Sequence, residues 1–298
     1  MTVLAATETG REPTPSNPLA IVCGGGAFPA AVADAVGKRG RDFLLFAIRG
    51  FADPKIVGRY PHEWIYLGQI GRLERLVRRH GVREVTFVGT VFRPRLRDIR
   101  IDWRTLRYLP RYLRMQRGGD NRLLSFIARE TEAGGVRVLG AHEVAPEILV
   151  PAGVLGRHRP SQANAAETAL GRAVIGALGP FDVGQAVVVV NRRVVAIEAA
   201  EGTAAMLERV AAIRRSGRLH AEVRAGVLVK APKPGQERRL DLPAIGADTV
   251  AQAAAAGLTG VAVEAGGSIV ADANALVQAA DAAGLFVLGF EPGREAPS

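Results

Sequence analysis

The 298-residue chain has 39 basic against 29 acidic side chains, a formal net charge of +10 and a pI near 10.6. A chain of this length buries roughly 75% of its unfolded surface and needs no covalent staples; the single cysteine, Cys23, excludes an internal disulfide framework and fits a reducing compartment. No apolar run approaches the roughly eighteen residues of a membrane span, so a soluble, cytoplasmic protein with anionic partners is expected.

Residues 1–18 are polar, contain three prolines and read as a disordered lead without a secretory signal. Leu19-Ala20-Ile21-Val22-Cys23 then reads as a buried strand, Gly24-Gly25-Gly26 as its turn, and Phe28 to Val36 as a helix. Phe43 to Ile48 is the next strand, Leu73 to His80 a helix stopped by Gly81, and Val85 to Val88 a third strand. A helix over Asn121 to Glu132 ends at Gly134-Gly135, before a strand at Val136 to Leu139. Alternating strands and helices predict a parallel sheet with right-handed crossovers, so residues 19–145 are expected to form a Rossmann-like domain in an α/β protein.

Between the third strand and that helix, Arg93 to Arg122 holds ten arginines against Asp98, Asp102 and Asp120. Arg104, Arg107, Arg111 and Arg114 recur at helical spacing on one face, with Trp103, Leu106, Tyr108, Tyr112 and Leu113 beside them. Pro110 interrupts the helix. Such a segment suits an anionic lipid surface, nucleic-acid phosphates, or a solvated basic face over a packed one.

Pro146 to Pro160 has three prolines, two glycines and no periodicity, and is expected to be a linker. Residues 161–298 restart with a helix over Ala163 to Leu178, a strand pair Ala186 to Val190 and Val194 to Glu198 around Asn191-Arg192-Arg193, and a helix over Thr203 to Arg214. A weak repeat closes the chain: Ala253 to Glu264 and Ala279 to Phe290 each read as helix, glycine stop and buried strand. A second α/β domain is expected here, and this half is where catalysis is expected.

Within it, the apolar run Val227-Leu228-Val229 opens into Lys230-Ala231-Pro232-Lys233-Pro234-Gly235-Gln236-Glu237-Arg238-Arg239-Leu240-Asp241-Leu242-Pro243. Prolines fix φ and glycines admit close backbone approach, so this loop can hold its charges in place. Lys230, Lys233, Arg238 and Arg239 around Asp241 suit a phosphate-bearing polyanion; a solvated charged loop is the alternative. In an extended segment Asp241 would share a side with Arg239, whose charge would lower its pKa. That predicts a metal ligand or water-orienting group more than a strong base.

Gly24-Gly25-Gly26 at a strand-to-helix turn suits phosphate on a helix N-terminus, but Pro29 breaks the dinucleotide glycine spacing, and a tight turn alone also accounts for it. No Walker loop, His-x-His or Cys-x-x-Cys occurs, and His62, His80, His142, His158 and His220 lack ligand spacing. Phosphoryl chemistry would then rest on carboxylates, cations and Mg²⁺, with Asp120, Glu198, Glu201 and Asp241 as candidate oxygen donors. Asp120 and Thr203 also stand where helix N-caps are expected.

Four stretches carry a resemblance: Ala20 to Pro29, Arg117 to Leu124, Val195 to Thr203 and, most specifically, Val229 to Gly246. From about Leu19 to Gly289 the chain resembles the LpxI-type UDP-2,3-diacylglucosamine pyrophosphatases of lipid A synthesis. The resemblance implies a Mg²⁺-dependent hydrolase that releases UMP and 2,3-diacylglucosamine 1-phosphate, with the lipid nucleotide held between two α/β domains. It implies catalytic duty for Asp241, and the charge that the loop carries makes Lys230 and Lys233 its expected catalytic supports. Substrate contacts are expected at Gly24, Gly25, Gly26, Thr203, Gln236, Arg238 and Arg239, and metal contacts at Asp241, Glu201 and Asp120. Glu237 stands where the family pattern has aspartate. A homodimer at the anionic inner-membrane surface, without nucleic acid, is the expected context; a non-catalytic nucleic-acid binder using Arg93 to Arg122 is the rival.

Overall fold

The computed structural model describes residues 17–91, 99–107, 120–219 and 224–292. In the first half, β1 (Leu19–Cys23), α1 (Phe28–Lys38), β2 (Phe43–Ile48), α2 (Pro54–Val57), β3 (His62–Ile65), α3 (Ile70–Arg79), β4 (Glu84–Val88), α4 (Asp120–Ala133), β5 (Arg137–Val138) and α5 (Ala141–Val144) follow in order. The five strands pair in parallel in the order β3-β2-β1-β4-β5, the crossover arrangement that alternating strands and helices predict. β1 and β2 read as continuous apolar runs because both faces are covered. Leu19, Ile21, Leu45 and Ala47 point into one packed layer, while Ala20, Val22, Leu44 and Phe46 point into the other. His62–Ile65 forms a strand that the hydrophobic pattern does not announce; it is the sheet edge, only Ile65 is fully buried, and its pattern is correspondingly polar.

The second half contains β6 (Gly153–Leu155), α6 (Gln162–Leu178), β7 (Ala186–Val190), β8 (Arg193–Ile197), α7 (Gly202–Arg215), β9 (Val227–Lys230), β10 (Ala244–Ile245), α8 (Ala247–Ala255), β11 (Gly260–Glu264), β12 (Ile269–Val270), α9 (Ala273–Ala283) and β13 (Phe286–Phe290). Six of these strands form a mixed sheet in the order β6-β13-β11-β9-β7-β8. β9, β11 and β13 run parallel, whereas β7, β8 and β6 add antiparallel pairings. The segment expected as a linker is therefore part of the fold: β6 lies within it and closes the sheet edge on β13. It is too short to show a period.

α6 covers one face of this sheet, over Val187, Val189 and Val229. Gly171 permits the approach, since a Cβ there would stand 2.6 Å from Val229 Cγ2. α7, α8 and α9 cover the other face over Val188, Leu228 and Val261. Asn191 and Arg192 have positive φ (50° and 59°), which matches the twist of the tight β7–β8 hairpin.

The two halves meet through the chain that follows β9. Leu242 and Ile269 pack into one core layer of the first sheet and Leu240 against the other. β10 and β12 pair beside this seam, and Leu149 bridges to Ile269. Residues leaving the C-terminal end of β9 thus reach the first domain within a dozen positions, which puts the charged loop at the junction of both units.

Candidate active site

β9 ends in Lys230, whose side chain is carried inward and left 6% exposed. Its ammonium donates to the Ala244 carbonyl (2.9 Å) and to Thr203 Oγ1 (3.1 Å). Burial pushes its pKa below the ordinary lysine value, and the charges of Glu198 and Asp241 oppose that shift. Lys230 therefore stands behind the site surface, in contrast to the open phosphate contact expected of it.

The next residues fold back as a frame. Pro234 packs on the end of α6, where a Cβ on Gly179 would stand 2.6 Å from Pro234 Cδ. Gln236 is buried and acts as the hub of the loop. Its Oε1 accepts from the Lys233 amide (2.8 Å), while its Nε2 donates to Asp241 Oδ2 (2.6 Å), the Asp241 carbonyl (3.1 Å) and Gln185 Oε1 (3.1 Å). Gln236, expected to touch substrate, holds the central carboxylate. Lys233 Nζ pairs with Asp182, which sits at positive φ (49°) just past α6.

Asp241 is half-buried at the centre of this frame. Burial raises its pKa above the ordinary carboxylate value; Lys233, a Gln185 side-chain hydrogen bond, Lys230 and Gln236 act in the opposite direction without overcoming it. The expectation of a depressed pKa from Arg239 is thus corrected on two counts. Residues 238–240 form a turn, with Leu240 and Asp241 amides donating to the Glu237 carbonyl, so the alternation of an extended strand does not apply. Arg239 is turned away, bound to Glu237 (2.8 and 2.9 Å) and to Glu132 of α4 (2.6 Å). It ties the loop to the first domain. Glu237, the family departure, is part of that ion cluster. Arg238 extends to Glu264 at the end of β11 (3.2 Å) and keeps half of its side chain exposed.

Thr203 was a candidate N-cap, but α7 has Glu201 at that position with no side-chain cap bond. The Thr203 hydroxyl donates to Glu198 Oε1 (2.6 Å) while accepting from Lys230. Glu201, expected as a metal contact, pairs with Arg209 (2.6 Å) and is one-third exposed. Asp120 is the first residue of α4, and its side chain lies outside the described residues. Twelve residues of helix separate it from Glu132, about 18 Å of rise. Among the described residues no three His, Cys, Asp or Glu side chains converge as a metal cage. Asp241 is the carboxylate that the loop presents, with the ammonium groups of Lys233 and Lys230 beside it, so an ion there would take most of its oxygen ligands from substrate phosphates and water.

The glycine turn is built for a different contact. Gly24 and Gly25 amides donate to the Val88 and Thr90 carbonyls (both 2.9 Å), and Thr90 donates back to Gly25. A Cβ on Gly24 would lie 2.5 Å from the Thr90 carbonyl oxygen. The amides expected to cradle phosphate at Gly24 and Gly25 are therefore spent on the end of β4. Gly26, with φ of 90° and open space around it, is the member of the turn that leads into α1.

Two residues that sequence reasoning did not assign complete the site. Gln185, just before β7, meets both Asp241 and Gln236 through its side chain, and its backbone N–H donates to Glu198 Oε2 (3.1 Å). Asp182 holds Lys233. Neither has a local motif; only the pairing of β7 with β9 brings residues about fifty positions apart together.

Residues 18–148 match the model of the LpxI N-terminal domain, and residues 151–288 match that of the LpxI C-terminal domain. The chain is 42% identical over 274 residues to a Caulobacter vibrioides protein named UDP-2,3-diacylglucosamine pyrophosphatase LpxI. That similarity covers 92% of this chain and 98% of the relative.

Proposed function

This chain belongs to the LpxI family, and from that premise we propose that it hydrolyses the diphosphate of UDP-2,3-diacylglucosamine to UMP and 2,3-diacylglucosamine 1-phosphate. The observation that carries the reading is the likeness to the Caulobacter relative along almost the full length of both chains. The arrangement around Asp241 supports it physically. A diphosphate needs charge neutralisation and a positioned water, with little covalent chemistry from the protein. Asp241, held by Gln236 and Gln185 and raised by burial, is suited to orient a water and accept its proton as that oxygen bonds to phosphorus and the bridging P–O bond breaks. The Lys233 side chain and the charge of buried Lys230 offset the phosphate charge beside it. Mg²⁺, when bound, would be held by Asp241 together with the diphosphate and would supply further charge neutralisation.

A diacylated substrate also gives the arginine-rich segment a place in the enzyme. Ile101, Trp103 and Leu106 are exposed, Trp103 to 79%, beside Arg104 and Arg107. Asp102 and Thr105 fasten this stretch to the start of α3, through Asp102 Oδ2 on the Arg72 amide (3.2 Å) and Thr105 Oγ1 on the Ile70 amide (3.2 Å). The reading is a peripheral contact with the anionic cytoplasmic face of the inner membrane; Arg111 and Arg114, which extend the sequence face, lie outside the described residues. Neutralising Arg104 and Arg107 should weaken sedimentation with anionic vesicles, and equal sedimentation would remove this part of the reading. A homodimer is proposed alongside it, to be checked by light scattering.

The reaction is tested by incubating purified protein with UDP-2,3-diacylglucosamine and Mg²⁺, with EDTA and Asp241→Ala as controls. UMP release that requires both metal and Asp241 is expected. Release undiminished in Asp241→Ala would move the water-activating role elsewhere, and an inactive folded wild type would overturn the substrate. Hydrolysis in isotopically labelled water identifies which phosphorus is attacked.

A further inference from the structure

The chain is basic almost entirely through arginine: of 39 basic side chains, only Lys38, Lys55, Lys230 and Lys233 are lysines. Two of those four act on Asp241. An ammonium is a compact point charge that enters a site too small for the planar guanidinium fork. Lys230 occupies such a site, and what surrounds it is a second, deeper layer that the proposed hydrolysis does not yet use.

Glu198, at the end of β8, is 8% exposed, and both its carboxylate oxygens are engaged. Oε1 accepts from the Thr203 hydroxyl (2.6 Å) and Oε2 from the Gln185 backbone N–H (3.1 Å). The same Thr203 oxygen accepts from Lys230 Nζ (3.1 Å). One hydroxyl thus links a buried cation to a buried anion. From Glu198 the network continues through Gln185 to Gln236 and Asp241. Gly184 admits this geometry because a Cβ there would fall 2.2 Å from the Glu198 carbonyl oxygen.

The hairpin itself has no need of a carboxylate at this point. A buried ion pair is commonly matched or exceeded in stability by apolar residues of equal volume, and an unpaired buried charge is costly. Glu198 and Lys230 must therefore be kept together or lost together. We propose that Glu198 and Thr203 are positioning residues that lock the Lys230 ammonium behind Asp241 for the hydrolysis proposed above, on which this inference rests. Thr203 supplies the joint: its hydroxyl can donate to one partner while accepting from the other, which neither valine nor alanine can do. The division of labour follows from the bonds. Lys233 is paired with Asp182 and keeps 11% of its side chain exposed, whereas Lys230 does not leave its seat and contributes a fixed charge.

The test separates anchoring from chemistry. Protein carrying ¹⁵N-lysine has four side-chain ammonium signals, few enough to assign by Lys→Arg replacement. The Lys230 ammonium is expected to exchange with water more slowly than the other three. Glu198→Gln, which keeps the volume but presents an amide where an acceptor is needed, and Thr203→Val should both abolish that protection. Thr203→Ser, which keeps the hydroxyl, should retain it. In the hydrolysis assay Glu198→Gln and Thr203→Val should lower kcat by about a hundredfold with KM within about threefold, and Thr203→Ser should restore kcat to within about threefold of wild type. Thermal melts establish that each variant is folded, and Thr203→Ser keeps the comparison available if Glu198→Gln does not fold. Full protection of Lys230 in folded Thr203→Val, or an unchanged kcat there, would overturn the proposal. A wild type without hydrolase activity but with the expected exchange pattern would overturn the assigned reaction and leave the anchoring of Lys230 standing.

Discussion

The turn after β1 and the loop after β9 both leave the C-terminal end of a parallel strand, and they use their polar groups in opposite ways. Gly24 and Gly25 direct their amides at Val88 and Thr90, so the glycines serve close packing of two backbone segments within the first sheet. The loop from Lys230 to Asp241 directs Gln236, Lys233, Lys230 and the incoming Gln185 at a single carboxylate. Glycine gives proximity, and what it is brought close to decides its purpose. A cluster of polar side chains around one acid has fewer bland explanations, because burying them costs free energy that apolar packing would not.

The sharpest probe of the contrast is Asp241→Asn, expected to reduce hydrolysis by about a thousandfold as the proton acceptor is lost. The same change should stabilise the fold by about 1 kcal/mol at neutral pH, as relief of an active-site cost. The sign follows from the raised pKa. The folded chain favours the protonated acid, so the contribution to stability is full below the unfolded-state pKa and is lost as pH rises through the folded one. The melting-temperature advantage of the variant should accordingly shrink as pH falls toward the ordinary carboxylate range, and an advantage that grows on acidification would contradict the burial argument.

Gly24→Ala should act on the other region and through stability alone, costing about 2–3 kcal/mol because the new methyl meets a backbone carbonyl. Gly26→Ala has open space and should cost only about 1 kcal/mol from its positive φ. Urea unfolding of both variants measures the difference; equal losses would mean the Thr90 contact does not govern the turn. Arg239→Ala should cost about 1 kcal/mol by releasing Glu237 and Glu132, less at high salt. A salt-independent loss would point to packing in place of charge. The smallest effect is expected for Glu201→Gln, within about 0.5 kcal/mol of wild type. Under the proposed Mg²⁺-dependent reaction, metal titration of its activity should match that of the wild type; a raised Mg²⁺ requirement would make Glu201 a metal contact.

The first domain was legible in the sequence where strands are buried on both faces. β1 and β2 are apolar runs between glycine turns and amphipathic helices, as expected of strands covered on both faces. β3 and β6 were not legible: one is an edge and the other three residues long, and neither carries a period. The site divided along the same line. Lys230, Lys233 and Asp241 stand out because a local frame of prolines and glycines surrounds them, whereas Gln185 and Asp182 have ordinary neighbours and enter through strand pairing. The direction of Arg239 is not legible in the sequence because residues 238–240 form a turn, where the side-chain alternation of an extended strand does not hold.

By itself, then, the sequence determined the alternation of strands and helices, the family resemblance and the loop that carries Asp241, since periodicity, turn residues and short motifs are local properties of the chain. Only the tertiary structure decided which charges are open and which are bound. Partner choice and burial depend on residues distant in sequence, and they set the raised pKa of Asp241, the enclosure of Lys230 and the tethering of Arg239 to the first domain.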